Sequence, residues 1–126
     1  MASLPLLEPG QVVHCTSEQH YHDTLVDAGE KLVVVDCFAE WCPPCRQIAP
    51  TFLSLAQQYP DIVFVKVDVD KVPEIKSVLS VWAMPTFTFL RNGNVVGSFM
   101  GADVRKLRYG LNNGGKVGIC GSCAIL

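Results

Sequence analysis

The spacing of apolar and polar positions divides the chain into nine segments. Gln11 to Cys15 reads as a short first strand. Thr16 or Ser17 then offers a side-chain oxygen to a free N–H of a first helical turn, which predicts a helix to about Ala28. Gly29 ends it, because glycine tolerates left-handed dihedrals. LVVVDCF, residues 32–38, is a nearly continuous β-branched apolar run, the pattern of a central strand covered on both faces. Beyond Cys42, Ile48, Phe52, Leu55 and Tyr59 recur at intervals of three and four and predict a helix to about Gln58. Pro50 lies inside it and removes one hydrogen bond, so a kink is expected there. Residues 61–70 predict another strand, and about Pro73–Leu79 a short helix. Residues 86–100 predict a hairpin, since Asn92-Gly93 supplies the positive φ angles of a tight turn. A last helix is predicted over about Asp103–Leu111, ended by Asn112 to Gly115. Strands linked through helices pair in parallel, and a closing hairpin adds antiparallel strands. The expected fold is therefore α/β, a central mixed sheet flanked by helices on both faces.

Length and composition narrow the class of protein. The 126 residues suit one domain, placed at residues 1–112, with 113–126 as a flexible tail. Hydrophobic residues make up 49%, charged residues 17%, and the net charge is −2, an ordinary globular balance. No basic excess points to nucleic acid; Arg105, Lys106 and Arg108 read as a solvated helix face. The N-terminal MASLPLLEPG has no Lys or Arg and too short an apolar part for a signal segment, and no apolar run approaches a membrane span. A cytoplasmic monomer is expected. In a reducing compartment six cysteines do not make a disulfide framework.

The chemistry concentrates in EWCPPCRQIAP, residues 40–50. Two cysteines at this spacing serve a metal, a structural disulfide or a dithiol that passes electrons. Structural zinc needs four ligands. Cys120 and Cys123 form a possible second pair, but Cys42 opens a helix directly behind a buried strand, a poor place for a zinc knuckle. His14, His20 and His22 have no matching spacing. No metal is expected. A redox dithiol fits the position: a helix start puts Cys42 beside free backbone N–H groups and the positive end of the dipole, both of which favour the attacking thiolate. Pro43 and Pro44 fix φ at both intervening positions and stiffen that geometry.

VVVDCFAEWCPPCRQIAP together with AMPTFTFLRNG resembles the thioredoxin family, from about Val12 to Leu111. The dithiol, the preceding Asp, the helix Pro and the later Met-Pro-Thr fall in the family's order. The resemblance implies a thioredoxin fold and reduction of disulfides in partner proteins, with re-reduction by an upstream reductase and no bound cofactor. It implies that Cys42 is the nucleophile, Cys45 the resolving thiol and Asp36 a buried acid. It implies that Met84-Pro85 is a cis peptide facing the dithiol, and that Trp41 contacts substrate with Asp70 accepting from its indole. Pro43 and Pro44 belong to the same contact surface, and Lys66 matches a family position near the acid. Thioredoxin is itself the type case for a thiol lowered from ~8.5 to ~7. Such a drop raises the thiolate from about 3% to about half, but lost nucleophilicity leaves a net gain of only about threefold. Most of the speed must come from holding Cys45 beside the mixed disulfide, where attack is intramolecular.

The chain departs from the family in several places. Pro-Pro replaces the common Gly-Pro, as in tryparedoxins and nucleoredoxins, and Phe38 stands where many members have a second tryptophan. Pro43 removes an N–H near Cys42. Cys15 and Cys37 read as small buried hydrophobes. The C-terminal CAIL matches a prenylation pattern, with Cys123 as acceptor and Cys120 as a second lipidation site, which would bring the domain to a membrane surface. An accessory Cys120–Cys123 dithiol and an inert tail are the competing readings. Two other classes stand beside the disulfide reductase: a docking module that uses the same fold without turnover, and an oxidase or isomerase.

Overall fold

The computed structural model describes residues 7–117. The elements run β1 (Val12–Cys15), α1 (Glu18–Ala28), β2 (Val33–Phe38), α2 (Pro43–Gln58), β3 (Val63–Asp68), α3 (Glu74–Val78), β4 (Thr86–Arg91), β5 (Asn94–Met100) and α4 (Val104–Asn112). This is the order expected from the pattern, with the second strand-to-helix unit carrying the two cysteines. The strands form one sheet in the order β1-β3-β2-β4-β5. β1 and β2 pair with β3 in parallel, while β4 is antiparallel to both β2 and β5. The apolar run at 33–38 is thus the central strand.

Alternation along the strands sorts the core into two layers. Val33, Val35 and Cys37 of β2 join Val63, Val65 and Val67 of β3 under Tyr21 of α1 and Ile75 of α3. Val34, Phe64, Phe87 and Phe89 face the other way, under Ile48, Phe52 and Leu55 of α2 and Leu107 and Leu111 of α4. Phe52 is fully buried, with Phe64 and Phe87 at ring-centroid distances of 5.1 and 5.8 Å. Its truncation to alanine is expected to cost about 3–5 kcal/mol.

The helix ends follow local chemistry. Ser17, not Thr16, caps α1, its hydroxyl accepting from the His20 N–H at 3.0 Å. Asp103 caps α4 through the Lys106 N–H. At the end of α3, Ser80 takes a φ of 56°, and the Val81 N–H donates to the Lys76 carbonyl at 2.8 Å. That bond closes the last turn and fixes the chain's exit toward β4. At the end of α4 the Gly115 N–H donates to the Gly110 carbonyl at 2.7 Å. A Cβ on Gly115 would meet Phe89 Cβ at 2.6 Å and Val96 Cγ2 at 2.8 Å, so only glycine lets this segment lie on β4. Val117 packs on the same layer. Cys120 and Cys123 lie outside the described residues.

Candidate active site

β2 ends at Phe38, and the chain turns through Ala39 to Trp41 into α2. Cys42 is the N-cap of that helix, with Pro43 and Pro44 as its first residues. Both prolines lack an N–H, so the first free amide of α2 belongs to Cys45. That amide donates to Cys42 Sγ at 3.2 Å. Cys42 and Cys45 are joined as a disulfide, with Cα atoms 5.3 Å apart. Both are nearly covered, and Ala39, Phe38 and Met84 pack around them.

Met84 and Pro85 approach from the opposite side. Their peptide bond is cis. The Met84 carbonyl oxygen lies 3.6 Å from Cys42 Sγ. Pro85 is buried and Met84 half-buried, while Pro43 and Pro44 are exposed. Trp41 stands out of the surface at 63% exposure, and its indole N–H donates to Asp70 at 2.8 Å. The Asp70 N–H is in turn held by Asp68 at 2.9 Å, so the indole is anchored to a fixed turn. Arg46 donates to the Glu40 carbonyl at 2.7 Å and ties the first turn of α2 to the loop before it.

Asp36 lies within β2 and is wholly inaccessible to solvent. Neither carboxylate oxygen has a hydrogen-bond partner among the described residues. Burial raises its pKa from 3.8 to about 7, with the Lys66 charge pulling weakly in the other direction. Lys66 is its register partner on β3, and the ammonium sits 4.4 Å from the centroid of the Phe38 ring. A cavity of about 180 Å³ borders Cys45, Arg46, Ala49 and Lys66. It has room for several waters at about 30 Å³ each.

The two other described cysteines are placed differently. Cys37 is fully buried, and burial followed by the Asp36 charge pushes its pKa up to about 12. Burial also raises Cys15, against the Thr24 hydroxyl at 3.7 Å. Among the described residues no cluster of His, Cys, Asp or Glu could hold a metal ion. Sequence reasoning missed Trp82, which is 75% exposed two residues before Met84. Periodicity says nothing about residues 79–85, which belong to neither helix nor strand; the adjoining Met-Pro-Thr was the only available signal.

A disulfide at a helix mouth, facing a cis-proline loop, with a buried acid on the strand that leads into it, defines a dithiol-disulfide exchange protein. The thioredoxin family model matches residues 11–112. A thioredoxin of Sus scrofa is 46% identical over 96 residues, covering 76% of this chain and 91% of that one. Thioredoxin H5 of Arabidopsis thaliana is 41% identical over 95 residues, 74% of this chain and 80% of that one. The X-ray structure of Fasciola hepatica thioredoxin superposes with a TM-score of 0.78 at 40% identity, covering 79% of this chain and 96% of that one. The chain belongs to the thioredoxin family. It is a protein-disulfide oxidoreductase that works through its own cysteine pair.

Proposed function

We propose that Cys42 is the attacking sulfur and Cys45 the resolving one. The Cys42 thiolate attacks one sulfur of a substrate disulfide, forming a mixed disulfide and releasing the other sulfur as a thiolate. The Cys45 thiolate then attacks Cys42 Sγ, closing the Cys42–Cys45 bond and releasing the second substrate thiol. Two electrons pass to the substrate, and each released thiolate takes up a proton. The observation that carries this order is the Cys45 N–H on Cys42 Sγ at the start of α2. It stabilises negative charge on that sulfur before and as it attacks.

Asp36 takes the proton from Cys45 as that thiol attacks. A carboxyl poised at about 7 accepts and returns protons near neutral pH. Lys66 stabilises its ionised form, and the cavity beside Cys45 and Lys66 gives water a route to the site. Trp41, Pro43, Pro44, Met84 and Pro85 form the contact surface for an extended substrate segment; Pro85 has no N–H, leaving the Met84 backbone to face it.

The physiological substrates are disulfide-bearing proteins, and a thioredoxin reductase-like enzyme restores the dithiol. The domain, expected to end at about residue 112, runs on through Val117, which packs on the α2–α4 layer, and the appended tail follows it. Cys123, in CAIL, accepts a geranylgeranyl group and Cys120 a second lipid, so that a cytoplasmic monomer is held in part at membranes. No helix among the described residues is long and apolar enough to cross a membrane.

Cys45→Ser tests the redox assignment. It should accumulate mixed disulfides through Cys42 and lose insulin-disulfide reduction. Release of partners without trapping would overturn the assignment. Mass spectrometry of the C-terminus from native cells tests the tail: an unmodified Cys123 followed by Ala-Ile-Leu refutes lipidation.

A further inference from the structure

The chain's two tryptophans are both exposed, Trp41 at 63% and Trp82 at 75%. Trp41 is accounted for by its place beside Cys42 and its bond to Asp70. Trp82 has no such account: its indole N–H makes no hydrogen bond among the described residues. The backbone that carries it is nevertheless fixed on both sides. Upstream, Val81 is buried and its N–H closes the end of α3 on the Lys76 carbonyl at 2.8 Å. Downstream, the Thr86 hydroxyl donates to the Ala83 carbonyl at 2.6 Å, and Pro85 is buried. A large apolar ring is thus held outward on a pinned loop, where it fills no core space.

Its position is what gives it a use. Trp82 is two residues from Met84, whose carbonyl lies 3.6 Å from Cys42 Sγ. Two residues span at most about 7 Å, and less where, as at residues 83–85, the chain bends. A substrate segment whose disulfide reaches Cys42 therefore passes Trp82 within about two residues of the attacked cysteine. In the chain, Trp82 flanks the reacting centre on the Met84 side, as Trp41 does on the Cys42 side. An indole removed from water offers a large, rigid apolar contact at low entropic cost, which is why tryptophan dominates binding hot spots.

We infer that Trp82 determines substrate specificity by taking an aliphatic or aromatic side chain of the substrate protein close to the attacked cysteine. This rests on Cys42 being the attacking sulfur, which Cys42→Ser tests separately. The probes are disulfide peptides that differ only in a Leu, Glu or Lys two residues from the cysteine, with hydroxyethyl disulfide as a substrate too small to reach Trp82. The wild-type protein should favour the Leu peptide through KM. Trp82→Ala should raise KM for that peptide about tenfold, equal to about 1.4 kcal/mol, and abolish the preference. Its kcat, its midpoint potential and its rate with hydroxyethyl disulfide should stay within twofold of wild type. Trp82→Phe should recover most of the preference. The inference is overturned if Trp82→Ala keeps the Leu preference, if it slows hydroxyethyl disulfide in step with the peptides, or if the wild type prefers the Glu or Lys peptide.

Discussion

The protein holds two described pairs of cysteines, and their solvent exposure barely differs: 3% and 4% for Cys42 and Cys45, 4% and 0% for Cys15 and Cys37. Their surroundings differ entirely. Cys15 and Cys37 sit on β1 and β2, both in register with Val67 of β3, inside an apolar layer. Burial raises both pKa values and, at Cys15, outweighs the Thr24 hydroxyl that favours the thiolate. Cys42 occupies a helix cap, where the backbone turns an amide toward the sulfur. Surface area does not separate a reactive sulfur from an inert one; the orientation of nearby peptide groups does.

The sharpest way to break this comparison is to remove a sulfur from each pair. Cys42→Ser should drop insulin-disulfide reduction to background, a loss of about 10³-fold or more, because the thiol that remains, Cys45, lies inside α2 without the cap amide that Cys42 receives. Cys15→Ala and Cys37→Ala should keep activity within twofold and lose about 1 kcal/mol of stability each. Equal losses from both pairs would defeat the distinction.

Alkylation sharpens it without mutation. With a pKa of about 12, Cys37 has roughly 10⁻⁵ of its thiol ionised at pH 7. Iodoacetamide on the reduced protein should therefore label Cys42 at least about 10³ times faster than Cys37, read by peptide mapping.

Asp36 gives the next largest effect. Its folded pKa lies above the ordinary carboxyl value, so the folded protein binds the extra proton between pH 3.8 and about 7. Stability falls as pH rises through that window, and the full penalty, about 4 kcal/mol, is present above it. Asp36→Asn removes the penalty. Its stability relative to wild type should rise by up to about 4 kcal/mol between pH 4 and pH 8 in urea titrations, while resolution of the mixed disulfide slows by about 10²-fold. A pH-independent difference in stability would show that Asp36 ionises normally.

The order of elements was legible because each has one clear period: β-branched runs at 33–38 and 61–70, and a three-to-four stripe from Ile48 to Tyr59. The helix-mouth position of Cys42 followed from the same pattern. The cis Met84-Pro85 bond and the Trp41–Asp70 contact came from family resemblance; local pattern could not supply them, since each depends on segments brought together by the sheet. The stacking of Lys66 over Phe38 stayed hidden because it joins adjacent strands far apart in sequence. Trp82 stayed hidden because a single aromatic in a segment without period reads equally well as core or as surface.

The smallest expected effect concerns the anchored indole. Asp70→Asn weakens the charged acceptor of Trp41 and should raise KM for protein disulfides about two- to fivefold with kcat unchanged. An unchanged KM would mean that Trp41 needs no anchor.

The paired prolines have one more consequence. With no amide at positions 43 or 44, residue 45 supplies the dipole that steadies its neighbour's charge and, in the order proposed above, also the atom that later expels the bound partner. Exchanging sulfur for oxygen there silences the second task and leaves the first intact. A protein built this way can be stopped halfway with its cargo still attached, and each captured partner becomes a record of what it serves.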